Sequence, residues 1–380
     1  MKHLIDRSAC HIALLSSMLA LVPLHAQAEE LPSFGPSAVW NQEISTAPLH
    51  PDSATMISTL SGLGGFGLAR MQIDFSIHVV HADPGAPTMP TVTHPGGYYL
   101  PDCDPLGTAI PVPAGAAIEG ETGLTCDNQN NDCHLLVVQG NTLYELYGAN
   151  ENGASQLETM CLAIWYLDAT YLPTGRGDHC TSADAAGFPI APLLFNADEI
   201  ATSLAGDPTG DGDIGHAIRF ILPNDRMAND PVHGGSQGRL YVRPATHAGG
   251  PSGPSASVPY GARLRLRADF PLTGYSPSAR VILNTFMRYG IVLADGGVVA
   301  LTAESDLYTS ETWAGLGIDS RVFDQTPGAL DVLISDFEII DTGPRIGETY
   351  DCVRTDPLFD AVFSDGFESG DTSRWSAASE

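Results

Sequence analysis

His134-Leu135-Leu136-Val137-Val138-Gln139-Gly140-Asn141-Thr142-Leu143-Tyr144-Glu145-Leu146-Tyr147 carries the clearest β-hairpin pattern in the chain. Two apolar runs flank Gly140-Asn141, a residue pair suited to a two-residue hairpin turn. That turn sets the register: Gln139 faces Thr142, Leu136 faces Glu145 and His134 faces Tyr147. Alternation then puts His134, Leu136, Val138, Leu143, Glu145 and Tyr147 on one face. Leu135, Val137, Tyr144 and Leu146 fall on the other face, which reads as core. His134, Glu145 and Tyr147 converge at one end, where cross-strand neighbours lie ~5 Å apart and diagonal ones ~7 Å. An imidazole, a carboxylate and a phenol at that range form a candidate acid–base group for work on a sugar. The alternative is a solvated sheet face with the three residues bonded to one another.

Other segments extend the β reading. Met71 to Val80 alternates, Cys161 to Leu167 is apolar throughout, and Ala262 to Phe270 alternates leucines with arginines. Gly290 to Ala294 and Val298 to Thr302 suggest a second hairpin across Asp295-Gly296-Gly297. Ser276-Pro277 is a helix start, followed by Ala279, Ile282, Phe286 and Tyr289 at helical spacing. A short helix is expected near Asp198 to Ser203. The expected fold is mainly β, a jelly-roll-like sandwich with one or two short helices.

Residues 1–28 read as a secretory signal, with Lys2 and Arg7 before an apolar stretch and Ala26-Gln27-Ala28 as the cleavage site. Residues 29–35 read as a linker, 36–345 as one β-rich domain and 346–380 as an acidic tail. Outside the signal lie six cysteines, an even number that favours three disulfides in an exported protein. Proximity suggests Cys126–Cys133 and Cys161–Cys180, leaving Cys103–Cys352. The chain carries 45 acidic and 17 basic residues, a net charge of −28. That balance argues against nucleic acid and anionic lipid as partners. Lys2 is the one lysine, so the body of the chain excludes Schiff-base, P-loop and kinase chemistry. There is no G-x-S-x-G elbow and no Rossmann fingerprint.

Further candidates are weaker. Trp165 and Asp168 close an apolar strand, an aromatic beside a carboxylate that suits a sugar face and its hydroxyls. Arg263 and Arg265, with Arg267, form a cationic stripe able to hold carboxylates of an acidic polysaccharide; the rival reading is internal ion pairing. Asp207-Pro208-Thr209-Gly210-Asp211-Gly212-Asp213-Ile214 matches the opening of an EF-hand-type calcium loop, although Ile218 stands at its final ligand position. Asp207, Asp211 and Asp213 are the candidate Ca²⁺ ligands. His134, His216 and His247 would have to meet in space to make a metal site.

Five blocks carry a resemblance: Met71-Gln72-Ile73-Asp74-Phe75-Ser76-Ile77, Asp132-Cys133-His134-Leu135-Leu136-Val137, Cys180-Thr181-Ser182-Ala183-Asp184-Ala185-Ala186-Gly187, His216-Ala217-Ile218-Arg219-Phe220 and Tyr260-Gly261-Ala262-Arg263-Leu264-Arg265-Leu266. Together they resemble a family of exported bacterial proteins of unestablished activity, over most of residues 36–345. Phe363-Ser364-Asp365-Gly366-Phe367-Glu368-Ser369-Gly370-Asp371, with Trp375-Ser376, resembles a terminal tag found on unrelated exported bacterial proteins. The expectation is a secreted or surface protein, or a periplasmic one, that acts on a polysaccharide as hydrolase or lyase. The alternative is a non-catalytic surface or glycan-binding module.

Overall fold

In the computed structural model, residues 30–127, 132–355 and 357 are described. The signal segment and most of the tail, including the terminal tag, lie outside them. The strands Leu135–Gln139 and Thr142–Tyr147 form the expected hairpin, with Leu136 opposite Glu145 and Gln139 opposite Thr142. Gly140 supplies a positive φ of 57° at the turn, a conformation that costs glycine little. Cys161–Tyr166 adds antiparallel to the second strand and Val79–His81 adds parallel to the first. Both faces of this four-stranded sheet are buried. Leu135, Val137, Leu146 and Leu162 pack on one side, and Leu136, Val138, Leu143 and Trp165 on the other. Each such side chain contributes about 1.5–3 kcal/mol by leaving water.

The chain is mainly β, with sixteen strands in four sheets and three α-helices among the described residues. The largest sheet has six strands, in the order Ile73–Ile77, Leu301–Glu304, Ile218–Leu222, Ile291–Gly296, Arg263–Leu266, Phe337–Ile339. It is mixed: Ile73–Ile77 with Leu301–Glu304, and Ile218–Leu222 with Ile291–Gly296, run parallel, unlike the antiparallel pairing of a jelly roll. The expected hairpin across Asp295-Gly296-Gly297 does not form. Ile218–Leu222 lies between its two arms and pairs with both, because a central apolar strand buries more than a local turn does.

Helix α1 (Ser53–Gly62), not foreseen, packs on Phe337–Ile339. Helix α2 (Ala197–Gly206) opens with a capping box in which Asn196 accepts from Glu199 N–H and Glu199 accepts from Asn196 N–H, satisfying donors the helix leaves unpaired. Helix α3 (Pro277–Arg288) starts where Ser276 accepts from Ala279 N–H.

The disulfides are Cys103–Cys161, Cys126–Cys133 and Cys180–Cys352. Only the second agrees with the pairing suggested by proximity. Cys161 is claimed by Cys103 because residues 99–104 run beside its strand: Tyr99 N–H donates to Met160 O and Asp104 N–H to Leu162 O. Residues 346–355, expected to open a tail, are part of the fold. Ile346–Gly347 pairs with Leu240–Tyr241, Thr355 N–H donates to Arg176 O, and Cys352 is tied to Cys180.

Candidate functional site

The hairpin brings His134 and Glu145 to the same face, but that face is interior. Glu145 is fully buried. Its Oε1 accepts from Ile190 and Ala191 N–H at 2.7 and 2.8 Å, and its Oε2 from Trp165 Nε1–H at 3.0 Å. Burial pushes its carboxyl up to about 7, against the pull of those three donors. His134 Nδ1 lies 2.8 Å from Glu119 Oε2, and its Nε2 3.1 Å from Ala183 O. Burial would lower the imidazole, but the Glu119 carboxylate overrides it and raises His134 to about 9. Glu145 and His134 thus clamp the segment from Ala183 to Ala191 onto the sheet. Tyr147, its ring 5.7 Å from that of His134, is the member of the trio that reaches a cavity.

That cavity, of about 530 Å³, lies where the carboxyl ends of Ile218–Leu222 and Ile291–Gly296 meet the loop after Cys180. Asp295 stands near the end of its strand and accepts from Ala185 N–H at 3.3 Å. Ala186 N–H donates to Ala294 O, which stitches the loop to the same strand. The turn from Asp184 to Gly187 closes through Gly187 N–H to Asp184 O. Gly187 has φ of +78°, and a Cβ there would sit 2.1 Å from Thr246 Oγ1, so only glycine allows this approach. Asp184 is therefore held beside Asp295 by backbone that has little freedom.

Asp184 is fully buried, yet lines the cavity. Its Oδ1 accepts from Arg219 Nη2–H at 3.3 Å, and its Oδ2 has no hydrogen-bond partner among the described residues. Burial raises its carboxyl well above the ordinary value; Arg219 opposes the rise and Asp295 adds to it. Asp295, half-buried, is raised by burial and by Asp132, against Arg219 and the Gly296 and Ala185 N–H groups. Arg219 is anchored by donating to Thr302 Oγ1 at 2.7 Å. Tyr99, Tyr147, Tyr260 and Tyr350 supply aromatic wall, and His247, whose Nδ1 lies 2.7 Å from Ala185 O, completes one side. Two adjacent carboxyls held in their neutral form more readily than in water can exchange protons with a bound molecule.

A larger cavity, about 760 Å³, gathers Trp165, Asp168 and Arg263. Its wall includes Phe34, Trp40, Trp165, Tyr171 and Leu172, with Asp168 and Asp341 as its carboxylates. Arg263 donates to the carbonyls of Val39, Gln42 and Tyr289. Arg265 is held by Glu338 and Ile44 O, and Arg267 by Asp269. The cationic stripe thus pins the N-terminal segment and a neighbouring strand. Asp168 accepts from Asn141 at 3.4 Å.

The acidic loop is also spoken for. Asp207 accepts from Thr209, Asp211 from Arg280, and Asp213 from Gly215 N–H and Arg288. Among the described residues no group of three His, Cys, Asp or Glu is placed to hold a metal ion. Of the candidate histidines, His134 meets Glu119, His216 meets Glu199 and His247 meets Ala185.

Asp184 and Asp295 were not singled out from the sequence. The signal was there in weak form: each is a carboxylate set among alanine and glycine, Ala183-Asp184-Ala185 and Ala294-Asp295-Gly296, and such settings also describe plain turns. Comparison with protein-family models, curated proteins and solved structures returns no match to this chain.

Proposed function

We propose that the protein is an exported glycan-cleaving enzyme, a glycoside hydrolase whose acid–base pair is Asp184 and Asp295. The observation that carries the reading is the pair itself: two neighbouring aspartates with raised proton affinity on one tyrosine-lined cavity. In this reading Asp184, the more deeply buried and neutral member, gives its proton to the leaving glycosidic oxygen. Asp295, ionised, takes a proton from the water that attacks the anomeric carbon. The C–O bond to the leaving sugar breaks as the bond to the water oxygen forms, and the two carboxyls exchange protonation states. Arg219 holds Asp184 in place beneath the cavity. Tyrosine faces offer apolar surface for sugar rings and hydroxyls for their polar edges.

Export is supported by the signal-like residues 1–28 and by three disulfides, which persist in oxidising compartments. No helix among the described residues is long and apolar enough to cross a membrane. The test is reducing-end release from a panel of polysaccharides by the wild type, Asp184→Asn and Asp295→Asn. Each substitution is expected to lower turnover by about 10²-fold or more. Turnover surviving Asp184→Asn would remove this residue from the chemistry. A second reading, a glycan-binding module, draws on the four tyrosines; binding without reducing-end release by the wild type would favour it.

A further inference from the structure

The charge on the cavity narrows the class of glycan, and the inference rests on the reading of the Asp184–Asp295 cavity as a glycan site. Asp102, Asp132, Asp184 and Asp295 line it, against Arg239 as the one lining arginine or lysine and Arg219, which offsets the Asp184 charge from beneath. Arg239 is occupied: its guanidinium donates to Gly249 O, the Tyr350 hydroxyl and Gln237, and lies over the Tyr350 ring. Carbonyl oxygens only accept, so His247 Nδ1–H donates to Ala185 O, and in the neutral ring Nε2 is left as an acceptor. Independent of the charge, the fully buried Asp184 is one of the lining residues, and its Oδ2 has no protein partner among the described residues. A buried polar atom of that kind is completed by a ligand or by water.

We infer that the cavity takes a cationic amino-sugar unit, such as the free-amine glucosamine of a de-N-acetylated glycan, in preference to its N-acetylated counterpart and in opposition to uronates. An ammonium carries three donors, a positive charge and no acceptor, which suits the carboxylates of Asp102, Asp132 and Asp295 on the wall. A uronate would bring a further negative charge among the aspartates, where like charges repel. The net charge of −28 draws cationic polymers toward the protein and repels polyanions, an effect that weakens as salt screens it.

The test is calorimetric binding of three probes to the full exported protein: a glucosamine hexamer, the N-acetylglucosamine hexamer and a galacturonate hexamer. To separate binding from cleavage, Asp184→Asn, which removes the proposed acid without removing a carboxylate charge, is titrated alongside the wild type. The glucosamine hexamer is expected to bind at least about tenfold more tightly than the N-acetylated one, two favourable charge contacts at near-surface strength. That preference should shrink as salt is raised, and the galacturonate hexamer should not bind. Asp132→Asn, at an exposed rim position, should narrow the preference about fivefold, the worth of one contact. Equal binding of the two amino-sugar probes, tighter binding of galacturonate, or binding of none would overturn the inference. Selective glucosamine binding without cleavage would uphold it while the hydrolase reading fails. Cleavage of a neutral glycan with no glucosamine preference would do the reverse.

Discussion

Glu145 and His134 show how one residue pattern serves structure where chemistry was expected. Glu145→Gln keeps shape and removes charge, but the new amide NH₂ must point at either Trp165 Nε1–H or the Ile190 and Ala191 N–H groups, donor against donor. We expect a loss of about 1–3 kcal/mol in unfolding free energy, with turnover by the folded fraction retained. A variant as stable as wild type but without activity would return Glu145 to the catalytic role. His134 makes a second residue-level case. Its folded value of about 9 stands above the ordinary 6.5, so the pairing with Glu119 stabilises the fold fully below pH 6.5 and is lost as pH rises through 9. The His134 imidazole resonance should titrate near pH 9; a midpoint below 7 would show that Glu119 does not hold the proton there.

Two elements carry predictions of their own. The strap formed by residues 346–355 brings Tyr350 to the cavity and buries Glu348, which accepts from Ala248 N–H at 2.9 Å. It is tied down by Cys180–Cys352, whose sequence separation is 172, against 7 for Cys126–Cys133. Loop-closure entropy makes the long bridge worth roughly 5 kcal/mol and the short one roughly 2 kcal/mol. Replacing Cys180 and Cys352 by serine should therefore cost more stability than replacing Cys126 and Cys133, and should also weaken ligand binding at the cavity. Equal effects of the two double variants would mean the strap does not shape the site. The Asp207–Asp213 loop is the other element. Arg280 and Arg288 of α3 already neutralise Asp211 and Asp213, so a chelator should leave the thermal midpoint unmoved. A fall on chelation would reveal a calcium ion stabilising the folded state.

Across the whole molecule, charge is handled by arginine reaching into the protein. Arg219, Arg176 and Arg263 are all buried, and guanidinium suits this because its fork serves several acceptors at once. The three disulfides account for every cysteine beyond Cys10. Protein lacking residues 1–28, denatured without reductant, should show no titratable thiol. Two or more free sulfhydryls would mean that a bridge is not formed.

Local rules were legible in the chain. Gly140-Asn141 determined the hairpin register, Ser276-Pro277 the start of α3, and the short spacing of Cys126 and Cys133 their bridge, because turn geometry, capping and short closures depend on neighbours in sequence. Alternation and turn residues were enough for a mainly-β molecule. What packs against a strand is not local. Long-range packing makes the Glu145 face interior, sets Ile218–Leu222 between two strands expected to be partners, and brings Cys161 to Cys103. It also sets Asp184 beside Asp295, through a loop joined to a strand across a separation of 110 residues. The proton affinity of those carboxyls is set by everything packed around them, and no pattern of neighbours along the chain encodes that environment.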